Sequence, residues 1–152
     1  MSKSFIEFKN KGFWIPDAVI SLVARCMEDA LERDEEHPDW IKAMREHLHH
    51  LALEHYPGWA TLPLDEELNN PQRLEEFLHF LDRTIELLRL KGISITALEL
   101  NHQRDKEFST KWTNEIKIEK LVYVIGRIRD LINGKDGYDY RENFILTIVD
   151  SC

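Results

Sequence analysis

The amino-acid sequence predicts an all-α fold, an irregular four- to five-helix bundle that leaves room for short extended arms at the N- and C-termini. Several segments place apolar residues at the three- and four-residue spacing of a helix face, and capping or turn residues stand at their ends. The length of 152 residues, with 43% hydrophobic and 32% charged residues, fits a single globular domain over residues 1–152.

Four helices are predicted, and start and stop residues set their boundaries. Asn70-Pro71 is the clearest start, because asparagine caps free amide groups and proline is tolerated at the first helical position. The predicted helices cover residues 17–33, 39–56, 71–91 and 114–133. The other start signals are Pro16-Asp17, Pro38 and Thr113, and the stop signals are Pro57-Gly58, Gly92 and Gly134.

The apolar faces of these helices define the predicted core. Its members recur at helical spacing within each segment. They are Val23, Cys26, Leu48, Leu51, Phe77, Leu81, Ile85, Leu121, Ile125 and Ile128. His55 falls on the apolar face of the second helix, so we expect a buried, hydrogen-bonded histidine there rather than a metal ligand or a base.

The two ends of the chain show strand-like patterns outside the four helices. Residues 5–8 alternate weakly and fit either a short edge strand or an arm. Residues 12–17 contain glycine and proline and are predicted to form a turn into the first helix. Residues 144–149 have strand composition and could pair with residues 5–8 or pack as an extended arm.

Residues 93–112 allow two conformations. Thr96 and Glu99 fit the spacing of a capping box, which favours a short helix. Ile93 and Ile95 fit a strand instead. The sequence alone does not decide between them.

The net charge of −8 lies in the first half of the chain. Residues 1–76 contain 16 acidic and 8 basic residues, whereas residues 77–152 contain 12 of each. An acidic field repels phosphate backbones, so nucleic acid is not an expected partner. The same field attracts a basic protein and speeds the encounter with it.

Apolar segments and cysteines give the expected location of the protein. No apolar run approaches the roughly 18 residues of a membrane span, and residues 1–13 lack the apolar stretch of a secretory signal. The two cysteines, Cys26 and Cys152, do not make a disulfide framework. We therefore expect a cytoplasmic protein without a membrane partner, and the oligomeric state stays open.

Two Glu-x-x-His pairs are the strongest metal-site candidates, because di-iron helical bundles use this spacing. They are Glu46 with His49 and Glu76 with His79. At about 100° per residue, all four side chains point away from the apolar faces of their helices, so we predict no metal site. His47, His50 and Glu54 share one side of the second helix but lack a fourth ligand, and a solvated polar face is the preferred interpretation.

Catalytic motifs are not recognisable in the sequence. No serine stands in a G-x-S-x-G or an S-x-x-K pattern, and neither a phosphate-binding loop nor a dinucleotide-binding glycine motif is present. We therefore predict a protein that is not an enzyme, with no catalytic residue and no cofactor.

Two groups of residues are candidate partner-binding surfaces. The first is an acidic run, comprising Glu28, Glu32, Asp34, Glu35, Glu36 and Asp39. The second is a loop with an aromatic residue followed by carboxylates, comprising Trp59, Asp65, Glu66 and Glu67. The run is either a docking surface or a solvated helix end. Trp59 is either an interface anchor or a side chain that folds back over the bundle.

Two stretches carry a resemblance to a known group of proteins. They are FKNKGFWIPDAVI and WTNEIKIEKLVYVIGRIRDLINGKDG, which contain Gly12, Phe13, Trp14 and Asp17 and then Leu131, Gly134 and Lys135. They resemble a G-x-F-W-x-x-D helix start and an L-x-x-G-K helix end in an uncharacterised family of small bacterial proteins. Such small acidic helical proteins are similar to immunity proteins encoded beside polymorphic toxins, and the resemblance implies that association for this chain.

Charge and resemblance together favour one function over two alternatives. We expect an immunity-type protein that binds and neutralises a cognate basic bacterial toxin through an acidic surface. The first alternative is an acidic interaction or scaffold module with another partner. The second is an enzyme whose site the sequence does not reveal.

Overall fold

The computed structural model describes residues 2–34, 36–54, 56–101 and 111–135, and the structural features below lie within these ranges. The fold is mostly helical, as predicted. The described residues also form two small antiparallel sheets of two strands each. The predicted all-α class is therefore confirmed only in part, because short strands accompany the helices.

The N-terminal segment forms a β-hairpin of strands β1 (Lys3–Phe8) and β2 (Lys11–Pro16). Lys9 and Asn10 connect the strands with φ angles of 51° and 67°, the pattern of a two-residue type I′ turn. Residues 5–8 are thus a paired strand. The predicted turn over residues 12–17 is wrong, because the chain reverses earlier, where asparagine tolerates the left-handed conformation.

The hairpin has one buried and one outer face. Ile6 pairs with Phe13 on the buried face, and Phe5 pairs with Trp14 on the outer face. A Cβ atom on Gly12 would collide with the backbone carbonyl of Ile6, so only glycine fits this register. The alternation of the side chains therefore fixes which residues the hairpin presents outward.

Helix α1 (Asp17–Arg33) matches the first predicted helix. The second predicted helix, residues 39–56, is instead divided into α2 (Asp39–Lys42) and α3 (Arg45–Ala52). The amide of Met44 bonds to the carbonyl of Ile41 at 3.0 Å, three residues back, which tightens the turn and ends α2.

The end of α3 also differs from the prediction. Glu54 has a φ angle of 58°, a left-handed conformation that stops the helix at Ala52, before the predicted Pro57-Gly58. The predicted burial of His55 lies outside the described residues.

Helix α4 (Leu64–Glu67) is short, and α5 (Pro71–Leu90) is the long third predicted helix. The Asn70 side chain accepts a hydrogen bond from the Arg73 amide at 2.9 Å, which confirms the predicted cap. Gly92 follows the helix with a φ angle of 112°, a backbone conformation that glycine adopts more readily than other residues.

Residues 93–101 contain both predicted alternatives, the strand β3 (Ser94–Ile95) and the helix α6 (Ala97–Asn101). The Thr96 hydroxyl accepts a hydrogen bond from the Glu99 amide at 3.1 Å, as the capping box predicts.

Strand β4 (Ile116–Lys117) pairs with β3 and leads directly into α7 (Ile118–Asn133). The predicted Thr113 cap is wrong, because the strand occupies the first residues of the predicted helix. Gly134 ends α7 in the left-handed conformation, as predicted. The predicted strand-like segment at 144–149 lies outside the described residues.

The core surrounds α1, which packs against α3, α5, α7 and β2. Most of the predicted core residues are buried, namely Val23, Leu48, Leu51, Phe77, Leu81, Leu121, Ile125 and Ile128. Cys26 and Ile85 are only half-buried and pack against this core. Desolvation raises the pKa of the Cys26 thiol to about 12, so the thiol stays protonated at neutral pH. None of the described helices has the length and apolar character needed to cross a membrane.

Candidate functional site

Two carboxylates of the acidic run along α1 and the following loop pair with arginines. Glu32 accepts a hydrogen bond from Arg45 at 2.8 Å, and Asp34 accepts two from Arg83 at 2.5 and 3.1 Å. The hydrogen bonds from Arg83 lower the pKa of Asp34. Because each pair cancels charge within the molecule, this run offers a partner less negative charge than its composition predicts.

Glu28 does not lie on the surface predicted for it. Its side chain is buried, with 7% of the residue exposed, and Oε2 lies 2.9 Å from His49 Nδ1. The helical phase placed His49 away from the apolar face of its helix, but α1 and α3 pack closely enough for the two side chains to face each other. The prediction that Glu28 lies on the acidic surface is therefore wrong, whereas the His49 side chain is 37% exposed.

Three described members of the run are exposed, Glu32, Glu36 and Asp39, and of these Glu32 pairs with Arg45. Glu36 lies in the connection between α1 and α2, and Asp39 is the first residue of α2. Glu35 lies outside the described residues. The run therefore keeps exposed negative charge mainly at its C-terminal end.

Trp59 lies in a tight turn and is 79% exposed, so it does not fold back over the bundle. Its amide donates a hydrogen bond to the Tyr56 carbonyl at 2.9 Å, and Gly58 has a φ angle of 79°. These features, with Pro57 at the second position, are those of a type II turn. The Pro57-Gly58 pair signals this turn in the sequence, but the sequence did not predict that the indole is exposed.

A surface groove lies beside this turn and has a volume of about 680 Å³. We name it the Trp59 groove and define it by the aromatic residues Phe5, Trp14 and Trp59 and the carboxylates Glu7, Asp65 and Glu66. Trp14 is 40% exposed, and its ring lies 5.2 Å from that of Phe5. The hairpin register brings these two rings to the outer face, a contribution that sequence reasoning missed.

The carboxylates of the Trp59 groove have no lysine or arginine beside them among the described lining residues. Asp65 accepts a hydrogen bond from the Lys9 backbone amide at 2.9 Å, and an amide carries no compensating charge. Among the described residues that line the groove, His47 is the other titratable group. Glu67, also a predicted contact, lies apart from the groove and pairs with Arg73 at 3.1 Å.

Two buried polar residues, Ser4 and Asp17, lie beneath the turn that carries Trp59. The Ser4 hydroxyl donates a hydrogen bond to Asp17 Oδ1 at 2.5 Å and accepts one from the Ala60 amide at 2.8 Å. Asp17 Oδ2 accepts a hydrogen bond from the Gly58 amide at 2.8 Å. Sequence reasoning assigned Asp17 only to a helix start and gave Ser4 no role.

The residues of the two Glu-x-x-His pairs, for which no metal site was predicted, do not come together in the fold. Glu76 accepts a hydrogen bond from the Trp40 indole at 3.0 Å, while Glu46 and His79 are exposed. In the part of the chain that the structure describes, no three histidine, cysteine, aspartate or glutamate residues are grouped so as to hold a metal ion.

His47 and His50 contact Tyr56 instead of forming a ligand set with Glu54. The ring of His47 stacks on Tyr56 at 6.0 Å between centroids, and His50 meets the same ring edge-on at 6.2 Å. His47 Nε2 also lies 3.0 Å from the Thr61 carbonyl oxygen. These contacts join α3 to the segment that carries Trp59.

Comparisons with known proteins do not assign the chain to a family. No family model matches it, no curated protein is significantly similar to it, and no solved structure resembles it significantly. The candidate site is therefore interpreted from its own geometry and charge.

Proposed function

We propose that this protein is an immunity-type protein that binds and neutralises a cognate basic bacterial toxin, with the Trp59 groove as the central contact surface. The observation that carries the proposal is a 79% exposed tryptophan beside carboxylates that lack a basic partner in the groove. The resemblance of residues 8–20 and 112–137 to small bacterial proteins similar to immunity proteins supports the same function.

An exposed indole favours a protein partner. A tryptophan side chain contributes 150–250 Å² of contact area, and leaving it in water forgoes the free energy of its burial. Tryptophan is also enriched among the few residues that dominate binding energy. Trp59 therefore has the character of an anchor that a partner covers.

Charge favours a basic partner. Glu7, Asp65 and Glu66 surround the aromatic surface without a lysine or arginine among the described lining residues. In contrast, Glu32 and Asp34 of the acidic run already pair with arginines. The groove therefore supplies the uncompensated negative charge, and Glu36 and Asp39 extend the acidic surface as a second contact region.

Neutralisation would follow from occlusion. A basic enzyme uses lysines and arginines to hold an anionic substrate, and carboxylates of this protein would pair with those groups instead. The charged rim speeds association and sets specificity, while the buried aromatic anchor slows dissociation.

The proposal is tested by capturing the partner and measuring its dissociation constant. Immobilised wild-type protein is exposed to an extract of the native organism, and the captured protein is purified. Trp59→Ala should weaken binding roughly 30-fold, the equivalent of about 2 kcal/mol. Ile93→Ala is the matched control, because Ile93 is 83% exposed but lies outside the groove.

Growth assays test neutralisation separately from binding. The partner expressed alone should arrest bacterial growth, wild-type protein should restore it, and Trp59→Ala should restore it less well. An acidic partner, or equal binding by Trp59→Ala and wild type, would contradict the proposed surface. A partner that is harmless when expressed alone would contradict the immunity function and favour a scaffold module.

A further inference from the structure

The backbone around Trp59 is held by hydrogen bonds at three consecutive amides. The Gly58 amide bonds to Asp17, the Trp59 amide to the Tyr56 carbonyl, and the Ala60 amide to Ser4. The three distances lie between 2.8 and 2.9 Å, within the range of good hydrogen bonds. An exposed side chain thus stands on a fixed segment of main chain.

The side chains that hold this segment come from parts of the chain far from it. Ser4 belongs to β1 and Asp17 to the first turn of α1, and both are buried. The Asp17 side chain accepts two hydrogen bonds, one at each carboxyl oxygen. The hairpin, the helix and the turn are therefore joined at a single polar contact.

We infer that Ser4 and Asp17 act as positioning residues that keep the Trp59 indole presented in the free protein, before any partner binds. Without them, the turn could rearrange and let the indole pack against neighbouring apolar surface. Ordering a loop during association costs affinity, and a loop that is already ordered avoids this cost. This inference rests on the proposed function in one respect, namely that Trp59 contacts the partner.

A serine variant and a matched control test the inference in the free protein. Ser4→Ala removes the acceptor of the Ala60 amide and one donor to Asp17. Ser21→Ala is the control, because Ser21 is also buried and donates to the Asp17 backbone carbonyl at 2.7 Å without reaching the turn. Global unfolding by denaturant is measured for both variants.

The readout is the solvent exchange rate of the Gly58 and Ala60 amides in the full chain, measured by NMR. Ser4→Ala should accelerate exchange of the Ala60 amide on the order of tenfold, because that amide loses its acceptor. Exchange of the Gly58 amide should accelerate less, because its acceptor Asp17 remains but loses the hydrogen bond from Ser4. Ser4→Ala should also shift or broaden the fluorine signal of Trp59 in protein labelled with 5-fluorotryptophan. Ser21→Ala should leave the amide exchange rates and the fluorine signal unchanged, even if it lowers the unfolding midpoint as much as Ser4→Ala does.

Asp17→Ala provides a second test if Ser4→Ala does not fold. The methyl side chain has no acceptor oxygen, so the Gly58 amide and the Ser4 hydroxyl both lose their partner. Wild-type exchange rates in the variant that folds, or equal acceleration by Ser21→Ala, would overturn the inference. Because no partner is present, this failure is distinct from a failure of Trp59 to bind one.

Discussion

Leu81 tests the helical phase at the scale of a single residue. Its side chain lies on α5 and is fully buried in the core. Truncation to alanine leaves a cavity as well as removing apolar contact, so Leu81→Ala should lower the free energy of unfolding by about 2–5 kcal/mol. Denaturant unfolding measures this loss.

Leu98 is the control for the core substitution. It is 76% exposed on α6, so Leu98→Ala should change the free energy of unfolding by no more than about 0.5 kcal/mol. A loss at Leu81 as small as that at Leu98 would contradict the packing of α5.

The environment of His37 predicts that the free energy of unfolding depends on pH. Burial lowers its pKa below the usual value of about 6.5; Lys42 and Arg83 act in the same direction, and Asp34 opposes them. Because the unfolded chain binds the proton more readily, the stability from the neutral imidazole is present above about pH 6.5. This stability is lost as the pH falls through the lower pKa that His37 has in the folded state.

A substitution at His37 separates this effect from general acid denaturation. His37→Gln cannot titrate, so its unfolding free energy should fall less than that of wild type between pH 7 and pH 5. His79→Gln is the control, because His79 is exposed and its side chain can be removed with little loss of packing. Equal pH profiles for wild type and His37→Gln would show that His37 contributes no such dependence.

The sequence predicted single residues well where one helix face decides their environment. Leu81 and Leu121 are buried because apolar residues recur around them at helical spacing. The same reasoning failed for Glu28 and His49, because each occupies the polar side of its own helix but meets the other across a helix contact. A contact of this kind depends on how two helices pack together. The helical phase of a single helix gives no information about that packing.

At the scale of secondary-structure elements, substituting two glycines by alanine should change the free energy of unfolding in opposite directions. Gly126 lies inside α7, and a Cβ atom there would meet no atom within 4 Å. Gly126→Ala should therefore raise the free energy of unfolding by roughly 0.5–1 kcal/mol, since alanine loses less entropy in a helix. Gly12→Ala should lower it, because the Cβ atom would collide with β1.

Thermal unfolding of the two variants measures these changes in one experiment. A higher midpoint for Gly126→Ala and a lower one for Gly12→Ala are expected relative to wild type. A stabilising Gly12→Ala substitution would contradict the hairpin register, because that register depends on the close approach of the two strands.

The elements themselves were predictable to different degrees. Helices α1 and α5 follow from their long apolar faces, and α5 also from the Asn70 cap. The bounds of α1 agree with the prediction, and α5 ends one residue earlier than predicted. The hairpin was missed because its turn at Lys9 and Asn10 lacks the usual asparagine-glycine pair. The break before α3 depends on a local three-residue hydrogen bond that leaves no clear sequence signal.

The candidate site becomes visible only at the scale of the whole molecule. The acidic character of residues 1–76 was apparent from composition, but the fold decides which carboxylates remain uncompensated. Arginines from α3 and α5 pair with the acidic run, whereas the hairpin and α4 place Glu7 and Glu66 together beside Trp59. The Glu32–Arg45 pair joins residues 13 positions apart and the Asp34–Arg83 pair joins residues 49 positions apart, and no local pattern encodes these contacts.

The salt dependence of association tests the central claim most directly. The association rate constant of the captured partner is measured at low and high ionic strength for wild type, Glu66→Lys and Glu75→Lys. Glu66 lines the Trp59 groove, while Glu75 is an exposed carboxylate on α5 outside it. If the groove attracts a basic partner, Glu66→Lys should slow association several-fold at low salt and reduce its salt dependence, and Glu75→Lys should resemble wild type. Equal rate constants for the two variants, or a wild-type rate that does not change with salt, would contradict the claim.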